Sequence, residues 1–283
     1  MSEPLHAPRA GDPTPEPARR AGSPPLLETR SLTIAFGGHI AVNAVSCAFT
    51  RGSLTAIVGP NGAGKTTYLN LISGQLRASA GDVVLDGQTL GRSSAAARTR
   101  RGLGRAFQLT NLFPNLSVRE NVRLAAQARA GGGLNVARLA ERDAAVTEQA
   151  RRRLAEVQLE DRADVPAAAL SHGDQRKLEV ALLLALQPEV FLFDEPTAGM
   201  SLDEVPVVLD LIERIKAQGD KCILLVEHKM DVVRRLADRV IVLHQGSLLA
   251  DGDPAAVIAS PLVQEAYLGR SPAAPGNPLR SAT

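Results

Sequence analysis

The sequence contains no tryptophan, and its six phenylalanines and two tyrosines leave aromatics at 3%. Proteins that grip single-stranded nucleic acid stack bases on aromatic rings, so this scarcity argues against that function. Cysteine is almost absent: only Cys47 and Cys222 occur, each among apolar neighbours. Two such residues form no disulfide framework and suit buried, reduced thiols. No long apolar run exists either. The longest, Val180 to Leu186, has seven residues, against the ~18 that a membrane-spanning helix needs. The N-terminus has no apolar segment of the kind a secretory leader carries. The expectation is a chain that stays in the cytosol. An excess of one charge is missing as well. Lysine and arginine total 32, aspartate and glutamate 30, and the net charge of +2 leaves no electrostatic footprint for nucleic acid.

What is present is an ordinary globular composition, 45% apolar and 22% charged over 283 residues. That length accommodates one large or two small domains. Residues 1–25 hold seven prolines and few large apolar side chains. They cannot bury enough surface to offset the entropy of ordering, and are expected to be a disordered tail. Residues 271–283 share that character, which leaves a folded body at 26–270. Leu32–Phe36, Ala41–Phe49 and Leu54–Val58 read as strands, with a helix from Lys65 to Ser73. Asp82–Leu85 ends in Asp86-Gly87, a turn pair that predicts an antiparallel hairpin. Val190–Asp194, Cys222–Val226 and Val240–Leu243 are apolar throughout or nearly so, as strands covered on both faces must be. Between them, and especially over 117–169, the pattern is helical, with a break at Gly131-Gly132-Gly133. Leu139, Val146, Ala150, Leu154 and Val157 share a helix face there, while Glu148 and Arg152 make an exposed pair at four-residue spacing. The fold class is α/β: a mainly parallel sheet, an antiparallel part near the start, and an inserted helical subdomain at about 109–187.

The strongest local signal is Gly59-Pro60-Asn61-Gly62-Ala63-Gly64-Lys65-Thr66, with Thr67 next. It matches G-x-x-x-x-G-K-[ST] between a strand and a helix, the context this motif requires. Glycines let successive N–H groups converge on anionic oxygens, and the helix N-terminus adds partial positive charge. Lys65 reaches terminal phosphates, and the Thr66 hydroxyl can ligate Mg²⁺. The apolar strand Val190–Phe193 delivers Asp194 and Glu195 to the carboxyl edge of the sheet. Asp194 suits the metal, and Glu195 suits polarisation of an attacking water.

Leu170-Ser171-His172-Gly173-Asp174-Gln175 opens a helix and resembles the Leu-Ser-Gly-Gly-Gln signature of ABC-type ATPases. It departs from that signature at His172 and Asp174. Further elements resemble the family in order: Phe36 the adenine-stacking aromatic, Gln108 the glutamine that senses Mg²⁺ and water, Ser201-Leu202-Asp203 the D-loop, and His228 the switch histidine. The resemblance spans roughly residues 26–268. It implies the P-loop ABC ATPase fold, with ATP and Mg²⁺ as ligands. Gly59 to Thr67 and Phe36 would bind the nucleotide, Thr66, Gln108 and Asp194 the metal, and Glu195, His228 and Gln108 would serve hydrolysis. Ser171, Gly173 and Asp203 would face ATP held by a second ATPase subunit or a second copy, arranged head to tail. Asp174, repulsive towards phosphate, should turn away.

Finer resemblance points to the ATP-binding subunits of branched-chain amino-acid importers. It rests on Leu170 to Glu179, Glu195 to Met200, Val226 to Met230 and the ending Glu265-Ala266-Tyr267-Leu268-Gly269. It implies integral membrane permease subunits, a periplasmic binding protein acting indirectly, and a peripheral place on the cytoplasmic side of the inner membrane. Nucleic acid is not among the implied partners. Leu112 and Phe113 are expected to line a groove for a permease helix. Importers of urea or short amides, exporters of lipopolysaccharide or lipid, and soluble ABC ATPases are the alternatives the residues leave open.

Overall fold

The structure, a computed structural model, describes residues 24–106, 112–130, 136–201 and 203–268. Gln108, Leu202, Gly131-Gly132-Gly133 and nearly all of both expected tails lie outside the described residues. In chain order the strands are β1 (Leu27–Phe36), β2 (His39–Phe49), β3 (Ser53–Val58), β4 (Ala80–Leu85), β5 (Gln88–Thr89), β6 (Leu103–Ala106), β7 (Val190–Asp194), β8 (Cys222–Val226), β9 (Arg239–His244) and β10 (Ser247–Gly252). The α-helices are α1 (Lys65–Ser73), α2 (Ala95–Arg100), α3 (Val118–Ala130), α4 (Val136–Glu156), α5 (His172–Leu186), α6 (Val205–Ala217), α7 (Met230–Leu236), α8 (Pro254–Ala259) and α9 (Pro261–Leu268).

Two sheets organise the chain. The six-stranded one has the order β10-β9-β3-β8-β7-β6, parallel except for the edge strand β10. The four-stranded one, β2-β1-β4-β5, is antiparallel. Its last turn is Asp86-Gly87, with φ of 49° and 72°, the left-handed pair that a tight hairpin with matching twist demands.

Strand alternation distributes the core. Cys222, Leu224 and Val226 of β8, with Val190 and Leu192 of β7, face α1 and the antiparallel sheet. Ile223, Leu225, Phe191 and Phe193 point the other way, into a cluster with residues of α3, α4, α5 and α6. Burial on both faces is why β7 and β8 read as continuous apolar runs. Helix α1 is held between the sheets, and its fully buried Tyr68 hydrogen-bonds the Thr29 hydroxyl of β1 at 2.7 Å. In α4 the buried stripe is Val146, Ala150 and Leu154, with Val157 just beyond. The opposite face carries Glu148 paired with Arg151 at 2.9 Å and Arg152 at 3.0 Å.

Strands β6 and β10 have no clear sequence signal. Leu-Gly-Arg-Ala carries one large apolar residue and becomes a strand because β7 supplies its ladder. Strand β10 is half-buried throughout and forms by hairpin return onto β9. The topology has one consequence for function: β3, β8, β7 and β6 are neighbours running the same way. The carboxyl ends of β3, β8, β7 and β6, at Val58, Val226, Asp194 and Ala106, therefore lie at one edge of the sheet.

Candidate functional site

At that edge β3 ends and residues 59–64 turn the chain into α1. Gly59 and Gly64 have φ of +150° and +96°. A β-carbon on Gly59 would stand 2.1 Å from the Leu243 carbonyl oxygen, and one on Gly64 2.3 Å from that of Ala41. The loop is pressed against its surroundings so closely that neither position admits a side chain. Asn61 and Gly62 are exposed at its crest, and Thr66 and Thr67 are half-buried in the first turn of α1. Lys65 is buried, its ammonium donating to the carbonyls of Gly59 at 2.8 Å and Pro60 at 2.9 Å. Burial pulls its pKa below the ordinary value, while the carboxylates of Glu195 and Asp194 act in the opposite sense.

Asp194 ends β7 with its side chain sealed from solvent. Thr66 Oγ1 lies 3.4 Å from its Oδ1, and Arg105 Nη2 donates to Oδ2 at 2.9 Å. Burial raises the Asp194 pKa and Arg105 counteracts it. Glu195 follows in the left-handed region, φ 52°, a conformation that costs a non-glycine residue ~1–3 kcal/mol. Its N–H donates to the Val226 carbonyl at 2.9 Å, which ties it to the end of β8. Its carboxylate sits 2.6 Å from His228 Nε2.

The histidine is itself positioned. Glu227 is buried and accepts from Thr197 Oγ1 at 2.7 Å and from the N–H groups of His228 and Lys229 at 2.7 and 3.1 Å. Lys65, Thr66, Asp194, Glu195 and His228 are thus brought together. Arg105, Thr197 and Glu227 were not assigned roles from sequence. The discernible signal was a carboxylate at the end of an all-apolar strand, at Glu227, and a lone arginine before Gln108.

Ser171, Gly173, Ser201 and Glu204 form a second cluster. Ser171 caps α5, accepting from the Asp174 N–H at 3.1 Å. Gly173 is buried under Glu204, whose Oε1 lies 1.8 Å from where its β-carbon would be. Glu204 also accepts from the Ser201 N–H at 3.1 Å and hydroxyl at 2.9 Å, and Asp203 beside it is exposed. The Asp174 carboxylate is met by Lys177 Nζ at 2.9 Å, so its charge is compensated along its own helix. Phe36 ends β1 with 48% of its surface exposed, which excludes a core role. Leu112 packs against the helical core and lines a cavity of about 270 Å³ with Leu182, Leu183 and Glu179. Phe113 is 53% exposed. Buried Asn121 holds its backbone at both ends, accepting from the Phe113 N–H at 2.8 Å and donating to its carbonyl at 3.1 Å.

The first cluster offers a glycine loop leading into a helix N-terminus, an ammonium and a hydroxyl–carboxylate pair. That donor set suits a nucleotide polyphosphate with Mg²⁺, which binds oxygen ligands and shares them with phosphate. Among the described residues no group of three or more His, Cys, Asp or Glu could hold a metal by itself.

Comparison with known proteins agrees. A family described as ABC transporter matches residues 42–198, and one described as branched-chain amino acid ATP-binding cassette transporter matches 247–273. The chain is 36% identical over 257 residues to the high-affinity branched-chain amino acid transport ATP-binding protein BraF of Pseudomonas aeruginosa, covering 88% of this chain and 100% of that one. It is 35% identical over 254 residues to LivG of Escherichia coli, with the same coverage. A solved nucleotide-free ATP-binding cassette from an ABC transporter superposes with a TM-score of 0.74 at 27% identity, covering 87% of this chain and 100% of that one. The ADP conformation of an ABC transporter cassette gives 0.74 at 26%, with 88% and 100% covered.

Proposed function

The chain belongs to the ATP-binding subunits of ABC transporters, and from that premise we propose that its ATP hydrolysis powers uptake of branched-chain amino acids across the inner membrane. The ATP chemistry rests on one observation: Lys65, the Thr66–Asp194 contact and the Glu195–His228 contact share one sheet edge. The cargo rests on relatives named for branched-chain amino acid transport and matched over their whole length, and on the match at 247–273.

In this reading, N–H groups of residues 61, 62 and 64–67 cradle the phosphates, and Lys65 exchanges its two loop carbonyls for phosphate oxygens. Phe36 stacks on adenine. Thr66, Asp194 and Gln108 hold Mg²⁺, which neutralises phosphate charge when bound. Glu195 accepts the proton of the attacking water, and His228 orients the Glu195 carboxylate. Ser171, Gly173 and Asp203 serve ATP bound to the opposing subunit, a second ATPase or a second copy placed head to tail. Closure of that pair moves the permease subunits, and the periplasmic binding protein is a partner only through them.

No described helix is long and apolar enough to cross a membrane. In this reading the chain works peripherally, on the cytoplasmic face, through its permease contacts. Exposed Phe113, held by Asn121, and Leu112 beside the cavity suit a cytoplasmic helix of the permease.

The test is recovery of Glu195→Gln from membrane extracts with ATP, followed by mass identification of what stays bound. Two integral membrane subunits together with a second ATPase and a branched-chain amino-acid binding protein are expected. Recovery of self-dimer, ribosomes or DNA alone overturns the importer reading and leaves the ATPase standing.

A further inference from the structure

Strands β7 and β8 are parallel neighbours, with Asp194 paired to Val226 at their last residues. Beyond those residues the ladder no longer holds the chain. The contact between Glu195 and His228 Nε2, 2.6 Å long, lies past both strand ends. Both side chains are partly exposed, so packing restrains them little and the backbone beneath them sets where they meet.

Two bonds tie the segments after the strands to each other. The Glu195 N–H donates to the Val226 carbonyl at 2.9 Å. Thr197 Oγ1 donates to Glu227 Oε1 at 2.7 Å, and both residues are buried, at 1% and 3% exposure. The other oxygen of that carboxylate, Oε2, accepts from the N–H groups of His228 at 2.7 Å and Lys229 at 3.1 Å. Glu227 is therefore a bridge. One of its oxygens is fixed by the loop that follows Glu195, and the other fixes the peptide of His228. Removing the Thr197 hydroxyl leaves Oε1 buried without its donor. The carboxylate relieves that cost by turning, and turning gives up the N–H groups at Oε2.

We infer that Thr197 and Glu227 are positioning residues for hydrolysis: the buried bond between them sets the contact of His228 with Glu195. This rests on the reading of Glu195 as the base and of His228 as the group that orients it.

The experiment measures phosphate release from ATP by the full chain with Mg²⁺, for Thr197→Val alone and together with His228→Ala. Thr197→Val keeps the shape of the side chain and removes its hydroxyl. Alone it should lower kcat about five- to twentyfold and change KM for ATP by less than about twofold. Added to His228→Ala it should lower kcat by less than about twofold further, because the residue it positions is gone. Thr197→Ser keeps the hydroxyl and should restore most of kcat. Thr197→Ala removes the same hydroxyl and replaces Thr197→Val if that variant does not fold. Wild-type kcat in Thr197→Val overturns the inference. So does an equal fractional loss in both backgrounds, which marks a merely structural role. If His228→Ala itself turns over like wild type, the assignment of His228 to hydrolysis falls and takes this inference with it.

Discussion

Arg105 Nη2 lies 2.9 Å from Asp194 Oδ2, and the pair is almost wholly removed from solvent. The other terminal guanidinium nitrogen, Nη1, donates to Asn70, Ser73 and Gln75, in the last turn of α1 and just beyond it. One side chain therefore ties β6, which leads into Gln108, to the loop helix and to the acidic end of β7. Arg105→Met should leave a buried carboxylate uncompensated and cost ~3–5 kcal/mol of stability, read by urea denaturation. Arg105→Lys keeps the charge but not the fork, and should lose less.

Lys65→Ala should weaken ATP binding by about 10- to 150-fold, as expected for a charge-assisted hydrogen bond to phosphate. Titration with a fluorescent ATP analogue measures this directly. Unchanged affinity would remove Lys65 from the phosphate site.

Glu195→Gln keeps the shape of the side chain and removes its basicity. It should bind ATP, accumulate closed pairs in size-exclusion chromatography, and turn over ~10²–10⁴-fold more slowly. His228→Ala should follow with a smaller loss, because its ring lies 2.6 Å from the Glu195 carboxylate and would only orient it. Near-normal turnover in Glu195→Gln contradicts the base assignment.

Cys47 and Cys222 are buried, and burial raises both thiols from an ordinary 9.0 to about 12. Both stay protonated at neutral pH, so iodoacetamide should label neither until urea unfolds the chain. The sign for stability follows. A raised folded pKa adds stability in full below the unfolded value of 9.0, and that contribution is lost as pH rises towards about 12. Tm should therefore fall across that alkaline window, and Cys222→Ala should reduce the slope.

Phe113→Ala should lower recovery of the permease subunits while the isolated subunit hydrolyses ATP normally. Co-purification from membranes, with ATPase activity measured on the same sample, separates the two effects. Undiminished recovery would take Phe113 out of the interface.

Residues whose role follows from local chemistry were legible in the sequence. Lys65–Ser73, Val190–Asp194 and Cys222–Val226 have the same bounds in the sequence reading and in the structure. An uninterrupted apolar run can bury both faces, and a glycine loop before a helix has few other solutions. The glycine loop proposed to hold phosphate and the Asp194-Glu195 pair stand out in the sequence for the same reason: their order and spacing suit that chemistry.

Only the tertiary structure decided how these pieces meet. Strand β6 reads Leu-Gly-Arg-Ala and exists because β7 offers it a ladder. The Arg105–Asp194 pair spans 89 positions of chain, and the bond from Thr197 to Glu227, the carboxylate that accepts from the His228 N–H, spans 30. No periodicity encodes such contacts. The burial of Val263 likewise depends on α9 packing onto the face of β3. Sequence determined what each segment could do, through side-chain chemistry and local backbone preference. Which segments act together was set by sheet order, because parallel neighbours release their ends at one edge.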